Sequence, residues 1–300
     1  MTKILESVPN YSVGEDEEII ESIVAPFERN EDVKLLDYSA DPDHNRLVVT
    51  NAGSPEGLFE STLESIGIAT DKIDMNEHGG EHPRMGATDV VPFTPVKNVT
   101  MTEAVELAKS LAEEAARKYE LPIYLYEEAA TRPERKNLAE IRRGEFEGFP
   151  EKISKKNWKP DFGPDKVHPT AGVTAVGARK PLVAFNVNLN TEDLSIAKAI
   201  ARAVRHSNGG LRYCKAMGVN LEDEELVQVS MNMTDYTRTS LSQAFELIRV
   251  EADRHGVSIK ESEIIGLVPS DALMNVAEHY LRLNDFSEDQ IIENRLLEDL

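Results

Sequence analysis

Val33-Lys34-Leu35-Leu36-Asp37-Tyr38-Ser39 and Arg46-Leu47-Val48-Val49-Thr50 are two short apolar-rich runs separated by only six residues, and this consecutive strand pair decides the fold class. On the N-terminal side, residues 15–29 carry Ile19, Ile20, Ile23, Val24 and Phe27 at helical spacing, after an extended run at 3–9. On the C-terminal side a helix over 55–69 leads to a strand at 89–93. The order β-α-β-β-α-β is that of the ferredoxin-like, or split βαβ, unit. A helix over 101–119 and a strand over 121–126 follow. The same order returns after Pro181, with a strand at 182–188, a helix over 193–205, strands at 212–219 and 227–233, a helix over 240–255 and an extended run at 259–268. The sequence therefore predicts an α+β protein of two ferredoxin-like lobes, with mixed sheets and helices packed on them, divided as 1–180 and 181–300. Residues 131–180 are rich in proline and glycine, hold the only tryptophan, Trp158, and show no clear regular structure. A stretch of that length is expected to be functional rather than a linker. At the acidic end, Ile291, Ile292, Leu296 and Leu297 predict a short docking helix.

Composition narrows the function. The 300 residues hold 33 Lys and Arg against 54 Asp and Glu, a net charge of −21. Such a surface repels a phosphate backbone and anionic lipid, so neither nucleic acid nor membrane is an expected partner. Cys214 is the single cysteine, which rules out an intrachain disulfide and thiolate zinc or iron–sulfur sites. No run approaches the ~18 apolar residues of a membrane span. Glu6 and Pro9 interrupt any apolar leader, so no export signal is expected and the chain is read as cytoplasmic. The acidity is consistent with adaptation to elevated salt or simply with solubility.

Of the seven histidines, His82 has the most telling neighbourhood, Gly79-Gly80-Glu81-His82-Pro83-Arg84-Met85-Gly86-Ala87-Thr88-Asp89. Glycines and a proline force a sharply turned loop that presents reactive groups. Glu81 or Asp89 is placed to orient the ring, and Arg84 to hold a carboxylate through two hydrogen bonds. A structural turn with a solvated histidine is the plainer reading. His78 and His82 stand four apart, but Gly79-Gly80 makes a metal-binding helix a poor expectation, and no metal is predicted. Gly172-Val173-Thr174-Ala175-Val176-Gly177-Ala178-Arg179 has the glycine spacing of a phosphate loop, yet Ala178 and Arg179 stand where Lys and Ser/Thr are required. A cluster of Arg132, Arg135, Lys136, Arg142 and Arg143 reads most simply as a solvated helix face. Arg179 and Lys180, with Trp158, Phe162 and His168, form a set suited either to a flat heterocycle or to gluing the lobes together.

Five stretches, Ser7-Val8-Pro9-Asn10-Tyr11-Ser12-Val13-Gly14, Leu35-Leu36-Asp37-Tyr38 with His44-Asn45-Arg46, Gly80 to Asp89, Asp161-Phe162-Gly163-Pro164, and Gly172 to Arg179, resemble in this order the formiminotransferase family. The resemblance covers essentially the whole chain and is to the stand-alone bacterial form, without the helical cyclodeaminase domain. It implies a folate-dependent one-carbon transferase, a glutamate formimidoyltransferase of histidine breakdown. The formimino group would move between N-5 of tetrahydrofolate, a co-substrate, and the amino group of glutamate. It implies His82 as general base, in keeping with the need to strip a proton from an attacking amine near neutral pH. It implies a folate-binding stretch of Gly163, Pro164, Asp165, Lys166, Val167, His168, Pro169, Thr170, Ala171 and Gly172, and a homodimer formed through the first lobe. Arg84, Arg46 and Arg179 are assigned to carboxylates of glutamate or the folate tail by charge and place alone. Animal relatives carry an aspartate near the histidine that falls on Ser39 here, leaving Asp37, Asp41 and Asp43 as nearby substitutes. Formyl transfer from 5-formyltetrahydrofolate to glutamate, or folate binding without turnover, stand as alternatives.

Overall fold

The computed structural model describes residues 2–80, 82–221 and 225–297. Contacts divide the chain into two units, Met1–Arg179 and Lys180–Leu300.

The first unit opens with one strand broken in two, β1 (Ile4–Ser7) and β2 (Asn10–Tyr11), followed by α1 (Glu17–Glu28), β3 (Val33–Asp41), β4 (Arg46–Gly53), α2 (Pro55–Lys72) and β5 (Thr88–Lys97). β1 and β2 both lie between β4 and β5, and β3 pairs with β4, all antiparallel, which is the ferredoxin-like arrangement. Pro9 cannot donate to a ladder, and the break it makes is repaired by side chains: Asn51 Nδ2 donates to the Ser7 carbonyl and Ser7 Oγ to the Pro92 carbonyl, each at 3.0 Å. Helix starts carry their expected caps: Asp16 for α1, and Ser54 ahead of Pro55 for α2. Then come α3 (Met101–Tyr119) and β6 (Ile123–Glu127). Thr100 and Glu103 form a reciprocal capping box at the start of α3.

Residues 131–180 depart from the expectation of an irregular connector. They form α4 (Leu138–Arg142), α5 (Glu145–Ser154) and a further strand, β7 (Thr174–Ala178), which runs parallel to both β5 and β6 and lies between them. One sheet face packs Leu5, Leu47, Val49 and Phe93 against α1, α2 and α3. On the other face α4 and α5 cover the β5–β7–β6 half, burying Val90, Tyr124, Tyr126, Ile141 and Phe149.

The second unit contains β8 (Val183–Leu189), α6 (Leu194–Val204), β9 (Cys214–Leu221), β10 (Leu226–Met233), α7 (Leu241–Arg254) and β11 (Ile259–Ile265). Its sheet runs β11-β8-β10-β9, antiparallel throughout, so the ferredoxin-like order read from the sequence is present in both units. A further helix, α8 (Ser270–Leu281), follows, then α9 (Ile292–Leu297). The docking expected of this last helix is not seen in the described residues: Ile292 is 73% and Leu296 71% exposed. The described residues include no helix long and apolar enough to cross a membrane.

Candidate functional site

The loop bearing His82 is fixed at both ends. At its start, His78 Nε2 donates to the Asn45 carbonyl at 3.0 Å and Asn45 Nδ2 donates to the Gly79 carbonyl at 2.8 Å. Asn45, with φ of 46° in the turn between β3 and β4, also accepts the Gly14 N–H at 2.7 Å. Three separate sequence motifs thus meet at one corner. At the loop's end, the Val173 N–H donates to the Met85 carbonyl and the Ala87 N–H to the Ala171 carbonyl, at 3.0 and 2.9 Å. Gly86 and Gly172 face each other there, and a Cβ on Gly86 would come within 2.2 Å of the Val173 carbonyl oxygen. Only two glycines permit so close a backbone approach.

Asp89 reaches the same place through an irregularity in the sheet. β2 pairs Asn10 with Val90 but Tyr11 with Thr88, so Asp89 is an extra, bulged residue. Strict alternation from Val91 and Phe93, which face α1 to α3, would put Asp89 in that core; the bulge re-aims it to the other face. There its carboxylate, 1% exposed as a residue, accepts the Met85 N–H at 3.0 Å and a hydrogen bond from Arg142 of α4. Burial pushes the Asp89 carboxyl up, but Arg142, His82 and the Met85 N–H outweigh it and hold it below the ordinary range.

His82 lies between two such partners. Its Nε2 is 3.9 Å from Asp89 Oδ2, an electrostatic contact too long for a hydrogen bond, and that nitrogen is buried with no hydrogen-bond partner. Its Nδ1 is 3.4 Å from Arg46 Nη1. Arginine has no acceptor, so Nδ1 offers its lone pair and Nε2 carries the hydrogen toward Asp89. Burial first, then Arg142 and Arg46, lower the His82 pKa, with Asp89 opposing them. A neutral imidazole, oriented by a carboxylate, with its lone pair beside a guanidinium, is fitted to take a proton from an amine whose neighbouring carboxylate rests on that guanidinium.

Arg84, unlike Arg46, is fully engaged within the protein. It donates to His78 Nδ1 at 3.2 Å, to Glu145 at 3.0 Å and to Glu147 at 2.8 and 3.1 Å, and its side chain is 9% exposed. It ties the loop to α5. Arg179 follows β7 and acts electrostatically on Glu6 and Tyr126, at the far end of the sheet face from His82. Lys180 pairs with Asp235 in the second unit at 2.7 Å. Trp158 lies over Lys152 Nζ, 4.1 Å from ring centroid to nitrogen, and Phe162 packs on the first unit's core.

Within 163–172, Gly163 (φ +86°) sits against the Leu121 carbonyl. Asp165 pairs with Lys159 at 3.0 Å, Val167 packs beside Trp158's cluster, and His168 Nδ1 accepts the Ala171 N–H at 3.0 Å. Ala171 and Gly172 reach the described residues of the His82 loop, by backbone contact. Ser39 stands across from Val48 on β3 and Asp41 is bound to His44 at 2.7 Å, so the carboxylate beside His82 is Asp89. Glu81 lies outside the described residues. The reading of 132–143 as a solvated face is corrected at two positions: Arg135 is fully buried on Asp161, and Arg142 holds Asp89. Nothing in the spacing of that cluster singles out Arg142. Among the described residues no three His, Cys, Asp or Glu side chains form a metal-binding group.

Residues 4–179 match the family described as "Formiminotransferase domain, N-terminal subdomain", and residues 184–297 match "Formiminotransferase domain". The chain is 52% identical to a protein of Streptococcus pyogenes named glutamate formimidoyltransferase, over 99% of this chain and 100% of that one. It is 44% identical to a protein of the same name from Thermoplasma acidophilum, over 98% and 97%. Against the mouse formimidoyltransferase-cyclodeaminase it is 42% identical over 93% of its length, which spans 53% of that longer protein.

Proposed function

The chain belongs to the formiminotransferase family, and from that premise we propose how its residues carry out glutamate formimidoyl transfer, the activity its stand-alone relatives are named for. The formimino group passes between the amino group of glutamate and N-5 of tetrahydrofolate, which serves as co-substrate. Binding of the substrate carboxylate draws the Arg46 N–H away from His82 Nδ1, and the attacking nitrogen, as it forms its bond to the formimino carbon, gives its proton to that freed lone pair. The resulting imidazolium is stabilised by Asp89 on the opposite ring nitrogen. As the tetrahedral carbon collapses, the bond to the departing nitrogen breaks and His82 returns the proton to it.

Arg46 is the proposed anchor for the α-carboxylate of the amino acid. A guanidinium 3.4 Å from the base sets carboxylate and amine on one atom, the α-carbon, side by side. Arg84, occupied by Glu145 and Glu147, serves in this reading by holding the loop. The 163–172 stretch contributes to folate binding at its Ala171–Gly172 end, next to the loop.

The observation that carries the reading is the ring of His82, with one nitrogen facing Asp89 and the other facing Arg46. The test is incubation with tetrahydrofolate and N-formiminoglutamate, and separately with 5-formyltetrahydrofolate and glutamate, following pterin absorbance and the amino-acid product. Turnover is expected in the first mixture and is expected to vanish in His82→Gln with folate still bound. Wild-type protein that binds folate and transfers nothing overturns it. Exposed Leu36 and Tyr38 on the edge strand β3 support a homodimer through the first lobe; a monomer by light scattering at micromolar concentration would refute it.

A further inference from the structure

Glu6 is a half-buried carboxylate for which the transfer chemistry has no use. Its neighbour Leu5 packs toward the helices, so Glu6 points to the opposite sheet face, the one that also carries Arg46. β1 sets Glu6 across from Thr94, as β2 sets Asn10 across from Val90. Thr94 is fully buried, and its hydroxyl lies toward the Glu6 carboxyl. Burial pushes the Glu6 carboxyl up, while Arg179 and then the Thr94 hydroxyl draw it back toward the ionised form. A carboxylate kept in that setting bears a desolvation cost that a matched pair of N–H donors would offset.

We propose that Glu6, with Thr94 beside it, receives the pyrimidine edge of the folate ring, its carboxylate accepting hydrogen bonds from the 2-amino group and from N-3–H. The inference rests on the transfer reading and deepens it by naming what selects the ring. That edge presents two parallel donors, as a guanidinium does, and a carboxylate accepts both at once. The spacing agrees. From Val90, beside the bulge that aims Asp89, to Thr94 is four residues of strand, about 13 Å. Amine, transferred carbon and N-5 take up about 2.5 Å, the fused ring from N-5 to its 2-amino group about 6 Å, and a hydrogen bond at each end about 3 Å. A folate with N-5 at His82 therefore brings its 2-amino edge to Glu6.

The test pairs one substitution with one altered substrate. Glu6→Gln is expected to raise the KM and the equilibrium-dialysis Kd for tetrahydrofolate about 10- to 100-fold, the loss of hydrogen bonds to a charged group, while leaving the KM for formiminoglutamate unchanged. Wild-type protein is expected to bind 2-desamino-2-methyl-tetrahydrofolate weakly, and Glu6→Gln to lose that discrimination. Equal folate affinity in variant and wild type, or wild type accepting the desamino analogue as well as the parent, overturns the assignment. If Glu6→Gln fails to fold, the wild-type comparison of the two folates still decides. Folate binding that depends on Glu6, without turnover by wild type, would instead refute the transfer reading and spare the contact.

Discussion

His82 can accept a proton only while its ring is neutral, and burial, reinforced by Arg142 and Arg46, keeps it so against the pull of Asp89. The acid limb of kcat/KM is therefore expected below the ordinary histidine value of about 6.5. The two neighbours should move it in opposite directions. Asp89→Asn removes a group that raises the pKa and shifts the limb to lower pH; Arg142→Gln removes one that lowers it and shifts the limb to higher pH. A pH–rate profile of each variant checks both, and a merely structural role for either residue would not give opposite shifts. His82→Gln should cost at least about 10²-fold in kcat. His82 was legible because its loop is punctuated by glycines and proline. Asp89 stands close enough in sequence to be a candidate partner, but its aim is not legible there, since it depends on a bulge set by β2, nearly eighty residues earlier in the chain. Arg142 looked like one basic residue among five.

The segment α5 shows how a short element serves the site without touching substrate. Glu145 and Glu147 in its first turn grip Arg84, and the Phe146 N–H donates to the Arg84 carbonyl at 2.9 Å. Arg84→Met should lower unfolding free energy by about 1.5–3 kcal/mol, the value of hydrogen bonds to a charged group, and reduce kcat as the loop loosens; urea unfolding and initial rates report the two. At α3, Thr100→Ala should cost about 1 kcal/mol by loss of the cap, with activity retained. Strands such as β8 and β10, where apolar and polar residues largely alternate, and helices with a clear apolar side were readable from the sequence. β7 was not: Thr174-Ala175-Val176-Gly177-Ala178 is buried at every position, so it shows no alternation, and its small residues resemble a glycine-rich loop. α4 is only five residues long and α5 contains Pro150, so neither carries a helical signature.

Across the molecule, three histidines, His78, His82 and His168, have pKa values lowered first of all by burial. Below about 6.5 the unfolded chain binds protons that these folded rings resist, so stability should fall as pH drops from about 6.5 toward their lowered values. Carboxylates held below their usual range, among them Asp41, Asp89 and Glu103 at about 2, contribute stability that is lost only in stronger acid. Urea midpoints between pH 7.5 and 3 should therefore decline in two stages. The net charge of −21 makes self-repulsion substantial, and the thermal midpoint should rise from dilute buffer to molar potassium chloride as salt screens it.

The placing of β7 bears on how the protein is made. β5 and β6 are joined only through β7, and Ala171 to Val173, just ahead of it, pin the end of the His82 loop. During synthesis the ribosome releases every residue of that loop some ninety residues before the strand that anchors it. A nascent chain stopped ahead of Thr174 thus holds the base and its carboxylate but leaves a slot in its sheet. The loop's anchorage is complete only when the last strand of the first unit is threaded into place.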